Sequence, residues 1–160
     1  MKDKIKIIVI LGQTATGKSD LAVEVAKKFD GEIISADSRQ VYKGLDIGSG
    51  KITKREMQRA PHHLLNVANP KRQFSVAQDK RLADKKIEEI SKKKKLPIVV
   101  GGTGFYIQAV VDDLVLPDVK PNQKLRKELE KKNAKELFEI LKKLDKGRAK
   151  DIEKDNPRRL

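Results

Sequence analysis

Up to about Val111, short apolar runs alternate with longer stretches in which apolar positions recur every three or four residues. Ile5 to Leu11, Glu32 to Ala36 and Leu96 to Val100 are runs of strand length; the second ends at Asp37 and the third is closed by Gly101-Gly102. Pro97 fits the third only because it sits at the start of that strand. Leu21, Ala22, Val25, Ala26 and Phe29 share one face of a helix over Lys18 to Phe29. Val76, Ala83, Ile87 and Ile90 mark a second helix, and Phe105 to Val111 predicts a third. Strands and helices alternating through short connections predict an α/β fold, a parallel sheet with helices on both faces.

After about Leu116 the pattern changes. Pro117 and Pro121 punctuate the chain, and the remainder is highly charged, with Leu125, Leu129, Leu137, Ile140, Leu141 and Leu144 at helical spacings. The expected organisation is a core domain over 1–116, a small helical, insertion-like subdomain over 117–150, and the start of a segment returning to the core over 151–160. No internal repeat is present, and the only low-complexity tract is Lys92 to Lys95.

The chemistry starts where the first strand ends. Gly12-Gln13-Thr14-Ala15-Thr16-Gly17-Lys18-Ser19 satisfies the Walker A pattern at every defining position and lies between a predicted strand and a predicted helix. The glycines let the backbone curl so that N–H groups from Gly12 through Thr14, Ala15, Thr16 and Gly17 converge on phosphate oxygens, while the helix adds its unpaired donors. Lys18 supplies a point charge to the terminal phosphates, and the Ser19 hydroxyl is placed to ligate Mg²⁺. These residues imply a P-loop NTPase-like core that holds a diphosphate or triphosphate.

In an open parallel sheet, ligands gather beyond the carboxyl ends of the strands. The phosphate loop, Asp37-Ser38-Arg39-Gln40 and Gly101-Gly102-Thr103-Gly104 all leave strands at that edge and are expected to face one cleft. Asp37 then reads as a metal-assisting acid or a general base, with turn capping as its structural alternative. Gly48-Ser49-Gly50-Lys51 reads as a flexible loop carrying a cation near the cleft. His62 and His63 are adjacent, so an extended chain points them to opposite sides, which argues against a histidine metal site.

Composition narrows the setting. The chain has 160 residues, 38% of them hydrophobic, and no apolar run long enough to cross a bilayer, so a soluble protein without a membrane role is expected. With no cysteine, disulfides, thiolate nucleophiles and cysteine zinc sites are excluded. An N-terminus that runs straight into a strand and phosphate loop leaves no room for a cleaved signal, so a cytoplasmic location is expected. Thirty-seven Lys and Arg against 23 Asp and Glu give a formal charge of +14, a field that attracts nucleic acid as well as small anions. Much of that charge also reads simply as solvated lysine faces.

Beyond the phosphate loop, the segments Asp37-Ser38-Arg39-Gln40-Val41-Tyr42, Gly44-Leu45-Asp46-Ile47-Gly48, Pro61-His62-His63-Leu64, Phe74-Ser75-Val76-Ala77-Gln78, Gly101-Gly102-Thr103-Gly104-Phe105-Tyr106-Ile107 and Asn156-Pro157-Arg158-Arg159-Leu160 occur in order along nearly the whole chain. This ordered set resembles the tRNA dimethylallyltransferases. The resemblance implies that the loop binds dimethylallyl diphosphate rather than a nucleotide to be hydrolysed. It also implies that the prenyl group passes to the exocyclic amine of the adenosine 3′ of the anticodon. On that resemblance Asp37 accepts the amine proton, and Lys18 and Thr103 complete the catalytic set. Ser38, Arg39 and Gln40 contact the target base or its neighbours, Thr103 lies near the tRNA, and Arg158 and Arg159 reach the diphosphate or the RNA. The implied partners are dimethylallyl diphosphate, Mg²⁺ and a tRNA anticodon stem-loop. Members of that family normally continue well beyond the Asn-Pro-Arg-Arg-Leu box. A truncated chain is therefore expected, one that binds diphosphate weakly, transfers poorly or not at all, and self-associates through uncovered apolar surface. Two other readings stay open: a P-loop small-molecule or nucleoside kinase, and a non-catalytic RNA-binding module.

Overall fold

The structure is a computed structural model that describes residues 5–57, 59–116 and 122–160. It divides into two units, Met1–Asp118 and Val119–Leu160.

In the first unit four strands form one sheet: β1 (Ile8–Leu11), β2 (Gly31–Ser35), β3 (His62–His63) and β4 (Leu96–Gly101), in the order β1-β4-β2-β3 and all parallel. Parallel neighbours need long crossovers, and helices supply them. α1 (Lys18–Lys28) joins β1 to β2; the short α2 (Lys54–Met57) precedes β3; α3 (Val76–Lys92) joins β3 to β4; and α4 (Gly104–Val111) follows β4. Pairing of β1 with β4 begins at Ile98, so Pro97, at the strand's start, takes nothing from that ladder.

Alternation along the strands fills both faces. Ile33, Ile98 and Val100 pack with Ala22, Val23 and Ala26 of α1 on one side. Ile34, Ala36 and Val99 pack with Ala83, Ile87 and Ile90 of α3 and Ile107 and Val110 of α4 on the other. Each fully buried Ile or Val contributes about 1.5–3 kcal/mol of transfer free energy. The expected face of α1 is therefore corrected: Leu21 and Phe29 are half exposed, and Val23 is buried in their place. Leu21 sits in the first turn, bonded to Gly17, and Phe29 is already the C-cap, so only the middle of the helix meets the sheet. The start of α3 is fixed by a capping box, in which the Ser75 hydroxyl accepts from Gln78 N–H and the Gln78 side chain accepts from Ser75 N–H.

The second unit contains α5 (Gln123–Leu129), α6 (Ala134–Leu144) and α7 (Arg148–Asp151). Asn122 caps α5, and Asn133 with Glu136 forms a capping box on α6. Leu137 is buried there, whereas Leu144 and Leu125, expected to be core-facing, are exposed. Three short helices enclose too little volume to cover a full apolar stripe. Residues 151–160 finish α7 and continue as turns, with Arg159 paired to Glu153 at 3.2 Å. Pro117 and Pro121, read as the punctuation between the units, lie outside the described residues.

Candidate active site

The turn after β1 is built for an anion. Ala15 and Gly17 both take positive φ, 65° and 79°, which orients successive N–H groups towards one side. Gly17 is the N-cap of α1 and no side chain caps that helix, so its first-turn donors remain available to a ligand. Thr16 Oγ1 donates to the Gln13 carbonyl at 2.8 Å, and the Lys18 ammonium donates to the same oxygen.

A cavity of about 430 Å³ opens here. Thr14, Ala15, Thr16, Gly17, Lys18 and Ser19 line it on one side, and Asp37, Gln40, Gly101 and Gly102 on another. Ala22, Ile33, Ile52, Leu65 and Val100 give it an apolar lining. The expected juxtaposition of phosphate loop, Asp37 turn and Gly101 turn is thus present in one hollow at the carboxyl edge of the sheet.

Two of these glycines are needed for different reasons. Gly101 passes so close to β2 that a Cβ on it would fall 2.1 Å from the Ala36 carbonyl oxygen. Gly102 is exposed, and a Cβ there would stand 3.4 Å from the Gly12 carbonyl oxygen and 3.9 Å from both Asp37 Oδ2 and Thr14 Oγ1. Gly102 therefore keeps open the space shared by the loop and the carboxylate.

Asp37 is engaged on one side only in these contacts. Its Oδ1 accepts from Arg39 N–H at 2.8 Å and Gln40 N–H at 3.2 Å, while Oδ2 is the atom near Gly102. Turn capping and cavity lining thus coexist in one side chain, one oxygen for each. Thr103 Oγ1 accepts from Ser38 N–H at 3.4 Å and donates to Ser38 Oγ at 3.3 Å, tying the two turns together. Arg39 is exposed. Gln40 turns inward instead, accepting from Ser35 Oγ at 3.3 Å and donating to the Gly50 carbonyl at 3.3 Å. Arg158 and Arg159 lie in the Val119–Leu160 unit, where Asn156 accepts from Arg158 N–H.

Lys51 is not the cation near the cleft that its loop suggested. Its ammonium donates to Tyr42 O at 2.8 Å, Asp46 Oδ1 at 2.7 Å and Asn66 Oδ1 at 2.7 Å, with its side chain only 3% exposed. Three acceptors in a buried place make it the clamp of its loop. The histidines do separate as expected: His63 Nε2 meets buried Glu32 at 2.7 Å, whereas His62 donates Nδ1–H to Ala60 O at 2.8 Å and lines the cavity. Burial holds His62 below the usual imidazole range.

One charged residue escapes a reading by motif. Asp79 lies on the apolar face of α3, fully buried, and neither carboxylate oxygen has a hydrogen-bond partner. Its burial and then the nearby Asp37 push it up to about 7. The signal was present in the periodicity, because Asp79 occupies the turn between Val76 and Ala83 on the same stripe.

A family profile for the IPP transferases matches residues 40–160, three quarters of the chain. The chain belongs to the IPP transferase family. Relatives called tRNA dimethylallyltransferase agree over nearly all of it. That of Anoxybacillus flavithermus is 46% identical over 155 residues, covering 97% of this chain and 50% of the relative. That of Pediococcus pentosaceus is 48% identical over 159 residues, covering 97% and 51%. Among solved structures, the full-length tRNA isopentenylpyrophosphate transferase of Bacillus halodurans superposes with a TM-score of 0.70 at 42% identity, covering 98% of this chain and 53% of that one. A eukaryotic dimethylallyltransferase acting on tRNA superposes with a TM-score of 0.82 at 33% identity, covering 98% and 40%. This family member has their P-loop NTPase-like fold and spans about half the length of the curated relatives it matches. Among its described residues no helix is long and apolar enough to cross a membrane.

Proposed function

We propose that this chain carries the donor and proton-acceptor half of a tRNA dimethylallyltransferase site. The reaction is transfer of a dimethylallyl group from dimethylallyl diphosphate to the exocyclic amine of the adenosine 3′ of the anticodon. The observation that carries this reading is the single cavity lined by both the phosphate loop and Asp37. The diphosphate lies against the N–H groups of Thr14 to Gly17, with Lys18 swinging from the Gln13 carbonyl to its oxygens. Neutralising that leaving group weakens the allylic C–O bond. The adenine amine, whose lone pair is delocalised into the ring, attacks the allylic carbon, and Asp37 takes its proton as the C–N bond forms and the C–O bond breaks. To reach the cavity the adenosine leaves its stack, as in other base-modifying enzymes. Thr103, Ser38, Arg39 and Gln40 form the RNA-facing rim in this reading, and Arg158 and Arg159 are further contacts to diphosphate or RNA.

The donor set fits Mg²⁺. Ser19 offers one hydroxyl in the cavity, and no cluster of three or more His, Asp or Glu occurs among the described residues. Mg²⁺ bound to substrate phosphates normally keeps several waters and needs few protein ligands. Held by Ser19, it would supply further charge neutralisation to the leaving diphosphate.

The formal charge of +14 favours an RNA partner, and a cytoplasmic setting suits such a substrate. Separate titrations of dimethylallyl diphosphate and ATP with Mg²⁺, against wild type and Lys18→Ala, test the reading. Preference for the allylic diphosphate, lost in the variant, supports it; tight ATP binding with phosphoryl transfer would make the chain a kinase. RNA binding that survives both Lys18→Ala and Asp37→Ala but collapses with salt would make it an RNA-binding module.

A further inference from the structure

A lysine ammonium is stable out of water only where acceptors replace its hydration, and it has three donors to satisfy. Lys51 meets that demand in full, with Tyr42 O at 2.8 Å, Asp46 Oδ1 at 2.7 Å and Asn66 Oδ1 at 2.7 Å around a side chain 3% exposed. Bonds of this kind, short and charge-assisted, are roughly twice as strong as neutral ones. The ammonium therefore ties together three stretches of chain that are far apart in sequence.

What those stretches carry gives the clamp its meaning. Gly50 and Ile52, on either side of Lys51 in the chain, both line the cavity, and so does Leu65, the residue before Asn66. Lys51, Tyr42, Asp46 and Asn66 are not among the lining residues, so the ammonium acts from behind the surface its neighbours present. Gly50, Ile52 and Leu65 lie in connections outside helices and strands, where no ladder or helical hydrogen bonds hold them. Gly50 also stands against the phosphate loop, since a Cβ on it would lie 3.7 Å from Thr14 Cγ2. Further ties between these connections are longer: Gln40 Nε2–H to Gly50 O and Asn66 N–H to Gln40 O, each at 3.3 Å. The short bonds of Lys51 thus dominate the placement of this wall.

We propose that Lys51 is a positioning residue for the hydrocarbon end of the donor: it fixes Gly50, Ile52 and Leu65 as one wall, against which the allylic chain packs while the phosphate loop holds the diphosphate. The inference rests on the prenyl-transfer reading for the identity of the ligand, though not for the clamp itself. A hydrocarbon chain offers no hydrogen bonds, so only the shape of the apolar surface around it sets where its reacting carbon lies. Ile52 and Leu65 supply such surface and have nothing to offer a phosphate.

Calorimetric titration of the full chain with dimethylallyl diphosphate and, separately, with inorganic pyrophosphate, both with Mg²⁺, tests the proposal. Lys51→Met keeps the stem and removes the ammonium. It is expected to weaken dimethylallyl diphosphate by roughly tenfold or more and pyrophosphate by less than about twofold. Lys43→Met makes the same change of charge at an exposed lysine of the same segment and is expected to alter neither. Equal weakening of both ligands in Lys51→Met, or of neither, overturns the proposal. If that variant does not fold, Asn66→Gly cuts only the link to the Leu65 connection; Asn66 has φ 57°, which glycine adopts without strain. It is expected to show the same selective loss, roughly threefold or more, and no selective loss there overturns the proposal equally. Nitrogen-15 relaxation reads the clamp without any ligand: order parameters of Gly50, Ile52 and Leu65 are expected to fall from about 0.85 in wild type to below about 0.6 in the variant that folds. Values that stay near wild type overturn the clamp. A wild-type chain that does not prefer dimethylallyl diphosphate over pyrophosphate, with order parameters that fall as expected, sinks the prenyl-transfer reading and the role toward the donor, and leaves the clamp standing.

Discussion

The Ala36 carbonyl oxygen occupies the space where a side chain on Gly101 would begin, 2.1 Å from the position of its Cβ. The contact is backbone against backbone, so no rotamer change relieves it. Gly101→Ala must push the end of β4 away from β2, and a loss on the order of 3 kcal/mol in unfolding free energy is expected. Denaturant unfolding measures this, and a change below about 0.5 kcal/mol would contradict the close approach.

The adjacent glycine should behave in the opposite way. A Cβ on Gly102 meets nothing closer than 3.4 Å but enters the space between Gly12, Asp37 and Thr14. Gly102→Val is expected to keep its unfolding free energy within about 1 kcal/mol of wild type while weakening diphosphate binding by roughly tenfold or more. Isothermal titration with dimethylallyl diphosphate separates the two effects.

Glu32 anchors the far side of the sheet. It is 4% exposed, with His63 at 2.7 Å and Lys93 at 3.3 Å. Burial alone would raise it, but the hydrogen bonds from His63 and Lys93 outweigh burial and hold it below the usual carboxylate range. A carboxylate lowered in the folded state stabilises above its unfolded pKa, and that contribution fades as pH falls through the folded value. Glu32→Gln is expected to cost on the order of 2 kcal/mol at neutral pH and less at about pH 4, by urea denaturation.

Asp79 gives the reverse dependence. Its folded value of about 7 lies above the ordinary 3.8, so the folded state keeps this proton while the unfolded state loses it. Stability therefore declines as pH rises from about 4 to about 7 and then levels off. Asp79→Leu removes this slope and is expected to be the more stable protein at about pH 8, by on the order of 3 kcal/mol. Equal stability of the two chains at about pH 5 and about pH 8 would contradict an unpartnered carboxylate.

Much of the fold was legible because the strands are short apolar runs bounded by chemistry-bearing turns. Ile8–Leu11, Gly31–Ser35 and Leu96–Gly101 fall within a residue or so of their predicted limits, apart from the earlier start expected for the first. The features that escaped have identifiable causes. The two-residue strand at His62–His63 is defined by pairing with Ile33 and Ile34, a long-range contact that local periodicity does not carry. The inward role of Lys51 depends on acceptors from Tyr42 and Asn66 brought together by the loop. In the site, the Walker pattern and the strand-end rule located the loop, Asp37 and Gly101-Gly102. The apolar lining from Ile52 and Leu65 was hidden, since each comes from a connection with no pattern of its own. Asp79 was visible only as a polar residue on an apolar stripe.

Whether the phosphate loop and Asp37 serve one bound molecule is read from amide chemical shifts followed during titration with dimethylallyl diphosphate and Mg²⁺. Perturbations are expected to converge on Gly12 to Ser19 together with Asp37, Gly101 and Gly102, and Lys18→Ala is expected to abolish them. Shifts confined to the phosphate loop, or scattered over the basic helices from Gln123 to Leu144, would contradict a shared site.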